Sequence, residues 1–194
     1  LFVLILIMIL QQFSGIRIVI NNIPEMMSGI GLNINNNLLN CLMNVIGFLT
    51  TFIAAFASVK LSRTLLWSIS AFGLAVDLGI YALSLKIENL AHWIGTFGAF
   101  LYYMFYGIGE GPVPWMLCGE LFPDSVRIES GAVTISANVI FGLICGFIND
   151  AILNATGEFG EMIFSTCMNI FAALVGFWLI PRNRSISYDN DNLL

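Results

Sequence analysis

The residues with the most chemistry to offer are amides and charges set inside apolar runs. Gln11 and Gln12 stand side by side, followed by Ser14 and Gly15, in an otherwise apolar opening segment. Gly107, Gly109, Gly111, Pro112 and Pro114 crowd a second apolar segment. Glycine and proline interrupt helices. In a membrane, such interruptions are tolerated only where the backbone is buried in protein or lines a cavity, and paired breaks near mid-depth mark transporter binding sites. Close helix packing through small residues accounts for the glycines equally well; the adjacent glutamines tip the reading towards a site. The chemistry available is hydrogen bonding rather than bond breaking. His92 is the sole histidine and has no partner motif, which excludes an intramembrane hydrolase. Cys41, Cys118, Cys145 and Cys167 lie in or beside apolar runs without C-x-x-C spacing, as small hydrophobes rather than a disulfide frame or metal site. No metal or cofactor is expected.

The elements that position these residues follow from composition. The chain has 194 residues, 58% hydrophobic and only 10% charged, with a mean hydropathy of +0.90. Soluble domains carry about 25% charged residues, so the solvent for this surface is the lipid bilayer. The net charge of −5 says little by itself, but the Lys and Arg residues sit almost entirely in short connections and form no basic patch, so nucleic acid is not expected as a partner. Crossing the hydrocarbon takes about 20 mostly apolar residues. Six segments qualify: approximately Leu1–Ile23, Leu38–Val59, Leu65–Leu85, Trp93–Leu117, Gly131–Leu153 and Met162–Ile180. They are apolar on all sides, which fits helices and not the alternation of a barrel strand. The expected fold class is an all-α membrane protein, a six-transmembrane-helix bundle over residues 1–180 with a cytoplasmic tail over 181–194.

Charge sets the orientation. The connections are Pro24–Asn37, Lys60–Thr64, Lys86–His92, Cys118–Ser130 and Asn154–Glu161. The second, the fourth and the tail hold Lys60, Arg63, Arg127, Arg182 and Arg184; the other connections hold only Lys86. Positive charge stays cytoplasmic, so both ends are expected on the cytoplasmic side of a cell membrane. Leu1 stands where a Met would begin a chain, and the opening run lacks the basic flank and cleavage site of a signal peptide. Truncation at the N-terminus is the expectation.

Two motifs resemble a known family. Gln11-Gln12-Phe13-Ser14-Gly15-Ile16 resembles the Q-Q-x-S-G-I-N signature in the seventh helix of the sugar porters of the major facilitator superfamily. Gly109-Glu110-Gly111-Pro112-Val113-Pro114-Trp115, running on to Gly119-Glu120-Leu121-Phe122-Pro123, resembles their tenth helix, and Ser125-Val126-Arg127 matches the basic residue that follows. The phrase from Pro112 to Pro123 is most similar to facilitated trehalose transporters. The resemblance covers essentially the whole chain and implies the C-terminal half, helices seven to twelve, of a major facilitator fold, working with an N-terminal six-helix half.

The resemblance implies site residues. Gln11 and Gln12 match glutamines that hydrogen-bond sugar hydroxyls, for which an amide offers both donors and acceptors. Trp115 matches a tryptophan that packs on the sugar and helps gate. Asn138 falls at an asparagine that also reaches the sugar, an inter-helix hydrogen bond being the plain alternative; Asn44 is a weaker candidate. Arg63, Glu120 and Arg127 match cytoplasmic gate residues that pair with the N-terminal half. The implied activity is sugar transport, in the trehalose or hexose class, by alternating access. The competing readings are a non-transporting sugar sensor and an inactive copy.

This chain departs from the pattern at several places. Arg17 replaces the expected asparagine, and Asn21-Asn22 replaces an aromatic pair. Ser58-Val59-Lys60-Leu61-Ser62-Arg63 and Pro181-Arg182-Asn183-Arg184-Ser185 each lack an expected acid, and Ile128 replaces a glycine. Arg17, Asp77 and Glu110 place charges inside spans. Intramembrane charges face the protein interior and usually pair; Arg17 and Glu110 could form an ion pair beside the sugar site, which would make Arg17 a charged donor there and a substrate-binding candidate, the alternative being that Arg17 snorkels while Glu110 faces cavity water or is protonated. Asn154-Ala155-Thr156 is an acceptor sequon on the expected outer side, and Asn183-Arg184-Ser185 one that stays bare in the cytoplasm.

Overall fold

The computed structural model describes residues 1–28, 36–87 and 91–180. Among them the chain is entirely helical: α1 Phe2–Gln12, α2 Ile16–Ser28, α3 Asn36–Lys60, α4 Arg63–Ser84, α5 Ala91–Ile108, α6 Val113–Glu120 and α7 Arg127–Leu179. Phe2–Ile23, Cys41–Lys60, Arg63–Ser84 and Arg127–Leu179 are long and apolar enough to cross a membrane. Large apolar side chains face outward along them; Phe48, Phe52 and Phe56, one turn apart, are all exposed on α3. Water would not tolerate that surface and lipid does. The chain is an all-helical membrane protein. The expected tail 181–194, with its sequon at Asn183, and residues 29–35 of the first connection and 88–90 of the third lie outside the described residues.

Two expected spans are broken where the polar and small residues fall. The first divides between α1 and α2 at Phe13–Gly15, where Gly15 takes φ +94. A Cβ there would also stand 3.3 Å from both Leu78 Cδ1 and Ser165 Cβ. The left-handed backbone and the close neighbours each require glycine. The fourth divides between α5 and α6. Pro112 and Pro114 lack the N–H groups that would continue the helix, and Gly111 N instead donates back to Tyr106 O at 2.8 Å.

The last two spans differ from expectation in their connection. Asn154–Glu161 is not an open loop: helix runs through it, interrupted only at Gly157, with φ 71 and ψ −177. Straight, the 53 residues of α7 would extend about 80 Å at 1.5 Å per residue. Yet Asn138 bonds to Gln12 and Asn169 to Ser14, two residues further along α1's exit. The chain therefore doubles back at Gly157 into two limbs. The polar residues around the turn keep helical backbone because neither Pro nor a second Gly conformation interrupts them. Lys86 lies over the Phe159 ring at 4.4 Å, placing the turn at the C-terminal end of α4. Thr64 Oγ1 donates to Ile180 O at 3.0 Å, so the second limb ends beside the start of α4.

The buried apolar side chains form two clusters, one on each side of the breaks. One joins Ile18, Val19, Leu74, Leu78, Tyr102 and Met162. The other joins Leu4, Ile7, Leu66, Trp67, Val113 and Ala172. Each cluster draws from one side of each break, so the two interruptions lie at a common level between them. Lipid tails are as apolar as leucine, so packing and hydrogen bonds hold such helices together. Trp67 Nε1 donating to Ala172 O at 2.8 Å is one such bond.

Candidate functional site

Each break frees backbone carbonyls, and side chains from other helices take them up. In an unbroken helix the N–H of residue 114 would donate to Glu110 O; Pro114 has none. Gln11 Nε2 supplies the missing donor, 2.8 Å from Glu110 O and 3.1 Å from Gly111 O. At the other break Ser14 O accepts from Asn169 Nδ2 at 2.8 Å and from Tyr102 Oη at 3.1 Å. Each such group left unpaired in hydrocarbon would cost several kcal/mol. The two breaks are tied to each other and to both limbs of α7.

Asn138, on the first limb, completes the amide cluster. Its Oδ1 accepts from Gln12 Nε2 at 2.9 Å, and its Nδ2 donates to Gln11 Oε1 at 3.2 Å and to Met8 Sδ at 3.3 Å. Cys145 Sγ donates to Gln12 O at 2.9 Å, fixing the end of α1 against the same limb. The structure thus brings together Gln11, Gln12 and Asn138. Gln11 is buried, with both N–H groups and its oxygen engaged by protein. Gln12 is half-buried and its Oε1 has no donor among the described residues, leaving an acceptor available.

Trp115 stands on α6, one turn past the break, 45% exposed, its indole N–H without a protein acceptor among the described residues. It is an exposed aromatic surface on α6, outside the amide network. Asn44 is exposed on α3.

The expected Arg17–Glu110 pair does not form. Glu110 is fully buried, and neither carboxyl oxygen has a hydrogen-bond partner among the described residues. Arg17 is exposed at the start of α2, its guanidinium against Gly142 and Gly146 of α7. Sequence places both residues beside breaks, but their side chains leave in different directions. Glu110 N donates to Ser70 Oγ at 2.9 Å, which binds its backbone towards α4, whereas Arg17 lies on α7. Asp77, the third intramembrane charge, is buried in α4 beside Gly98 of α5.

The expected gate residues pair within this chain. Arg63 holds Glu120 with two bonds, Nη2 to Oε1 at 2.5 Å and Nε to Oε2 at 3.3 Å. Arg127 Nη1 lies 2.6 Å from Asp124 Oδ1. Arg63 Nη1 also donates to Ser58 O at 2.8 Å, clasping α3 to α4. Asn154 is exposed on α7, in helical backbone, with Thr156 Oγ1 donating to Ile152 O at 2.8 Å. Sequence reasoning missed Ser14, Asn169 and Tyr102 as supports of the first break. Asn169, an amide inside an apolar run, was the available signal.

Known proteins resemble the chain in sequence and in fold. The family model described as "Sugar (and other) transporter" matches residues 1–189. The facilitated trehalose transporter Tret1 of Aedes aegypti is 27% identical over 190 residues, covering 94% of this chain and 23% of that protein. Tret1 of Bombyx mori is 25% identical over 188 residues, covering 94% of this chain and 37% of that protein. This chain therefore spans well under half the length of these relatives. Among solved structures, the proton:xylose symporter XylE bound to 6-bromo-6-deoxy-D-glucose superposes with a TM-score of 0.77 at 21% identity, over 92% of this chain and 39% of that one. A double-tryptophan XylE mutant gives 0.78 at 21% identity, over 93% of this chain and 39% of the other. The match is to part of the major facilitator fold.

Proposed function

The chain belongs to the sugar transporter family, and from that premise we propose that it is the C-terminal half of a carrier for a trehalose- or hexose-class sugar. Residues 1–180 form six crossings, with α1–α2 and α5–α6 each one broken crossing and α7 two. Both ends lie on the cytoplasmic side of a cell membrane, with the tail 181–194. An N-terminal six-helix half supplies the opposite wall, and alternating access rocks the two halves about a central site without covalent chemistry.

The observation that carries this reading is the junction of two broken helices at one level, tied by Gln11 and flanked by the Gln12–Asn138 amide pair. Gln12 and Asn138 offer donors and acceptors to hydroxyl groups. Trp115 offers an aromatic face to the C–H face of a sugar ring and an N–H donor. Gln11 acts as a positioning residue, its donors engaged by the second break. Arg63, Glu120 and Arg127 belong to the cytoplasmic gate, closing it through pairs that the N-terminal half joins or breaks.

Labelled sugar uptake into proteoliposomes tests this, using the chain together with its N-terminal half. Saturable uptake that falls at least tenfold in Gln12→Ala and Trp115→Ala supports the reading; about that loss follows from removing one or two buried hydrogen bonds or an aromatic contact. Saturable binding without uptake would replace the carrier with a sensor.

A further inference from the structure

We propose that Arg17 forms an anion subsite beside Gln12, so that the sugar carried bears a carboxylate or phosphate group; this deepens the carrier reading above and rests on it. Arg17 is the second residue of α2, five positions after Gln12 across the break. A Cβ on Gly142 would stand 3.1 Å from Arg17 Nη2 and equally 3.1 Å from Gln12 Oε1. A Cβ on Gly146 would stand 3.4 Å from Arg17 Nη1. Amide and guanidinium therefore lie side by side over a glycine pair one turn apart. Asn138, Gly142 and Gly146 are spaced by four along one face of α7. That face carries the amide cluster, and the absent glycine side chains leave the room in which the guanidinium sits.

Among the described residues the guanidinium has no counter-charge: the ion pairs there are Arg63–Glu120 and Arg127–Asp124. Arg17 makes no hydrogen bond within the described residues, although it carries five N–H donors. Glu110, the nearest acid in expectation, is sealed in the interior, and Asp77 faces α5. Arg17 is nonetheless exposed. A cation at the level of the breaks is costly in hydrocarbon and faces a polar cavity instead. There, a planar fork of donors matches the two oxygens of a carboxylate or a phosphate. The neighbouring Gln12 Oε1 accepts a bond from a hydroxyl on the same ligand. An anionic group and an adjacent hydroxyl are the chemistry of a sugar acid or a sugar phosphate.

The test is uptake by the complete carrier, this chain with its N-terminal half, of labelled glucose, glucuronate and glucose 6-phosphate. The variants are Arg17→Asn and Arg17→Lys, with Gln12→Ala as a site control. The expected result is a wild-type preference for one of the two anions over glucose. Arg17→Asn loses that preference by about tenfold or more, the scale of a charge-assisted hydrogen bond, while glucose uptake persists and shows the protein folded. Arg17→Lys keeps part of the preference. Whichever anion is preferred separates carboxylate from phosphate. Glucose uptake by the wild type that neither anion inhibits, unchanged in Arg17→Asn, overturns the subsite: the counter-charge then comes from the other half, and the carrier reading stands if Gln12→Ala reduces uptake. Uptake of none of the three, and none of labelled trehalose, overturns both.

Discussion

Gln11 donates to the carbonyl of Glu110 across 99 positions of sequence, at 2.8 Å. That carbonyl is the one Pro114 leaves without its helical donor. One side chain on the first broken helix thus completes the hydrogen bonding of the second, and the two interruptions become one structural unit. The pairing makes irregular backbone sustainable among apolar helices.

The pairing predicts non-additivity. Gln11→Ala should destabilise the protein by about 1–3 kcal/mol, the cost of an unsatisfied buried acceptor. Pro114→Ala restores a backbone donor to Glu110 O, so the same Gln11→Ala change in that background should cost markedly less. Thermal denaturation of the four proteins in detergent measures the cycle. Additive losses would show that Gln11 does not substitute for the proline's missing N–H.

Two glycines separate strain from crowding. Gly15 combines φ +94 with neighbours at 3.3 Å, while Gly157 has φ 71 and, among the described residues, nothing within 4 Å of where a Cβ would stand. Alanine at 157 should cost about 1–3 kcal/mol for the backbone alone, because φ 71 with ψ −177 is a region open essentially to glycine. Alanine at 15 should cost more, because Leu78 and Ser165 must also move. Equal losses in thermal stability would mean that the packing around Gly15 yields freely.

The Arg63–Glu120 pair should matter for transport more than for stability. The two side chains are 20% and 49% exposed, and exposed pairs contribute about 0–1 kcal/mol. Arg63→Gln should therefore leave the melting temperature nearly unchanged and reduce uptake. The exchange Arg63→Glu with Glu120→Arg should recover part of the uptake. A large fall in stability with unaltered uptake would make the pair a structural clasp and not a gate.

The expected topology places the Gly157 turn outside. Asn154 is exposed but helical, so its sequon should stay largely unmodified in the native chain. Inserting a flexible Gly-Ser segment at Gly157 should allow glycosylation, read as a mobility shift removed by glycosidase. Persistent absence of glycan in a folded, secretory-pathway-expressed insert would argue for the opposite orientation.

Much of this was legible in the sequence because lipid imposes simple rules. Long apolar runs became helices, and the breaks fell where Gln11 to Gly15 and Gly107 to Pro114 interrupted them. The Gln12–Asn138 contact agrees with both residues' being polar in apolar surroundings. The direction of individual side chains was not legible. Arg17 and Glu110 sit at breaks of equal depth, but one lies along glycines of α7 and the other turns into the interior. Gln11's engagement was recoverable in principle, since Pro114 stands four residues after Glu110. The tight turn at Gly157 was hidden by the polar residues around it, which looked like a loop.

The most direct test of the account is saturable sugar uptake by this chain reconstituted with its N-terminal half, compared with Gln12→Ala and with this chain alone. The account predicts uptake by the complete carrier, at least a tenfold loss in Gln12→Ala, as removing a hydrogen bond to a site group implies, and none by this chain alone. Uptake indifferent to Gln12, or saturable uptake by this chain alone, would contradict a site built at the two tied breaks and closed by a second half.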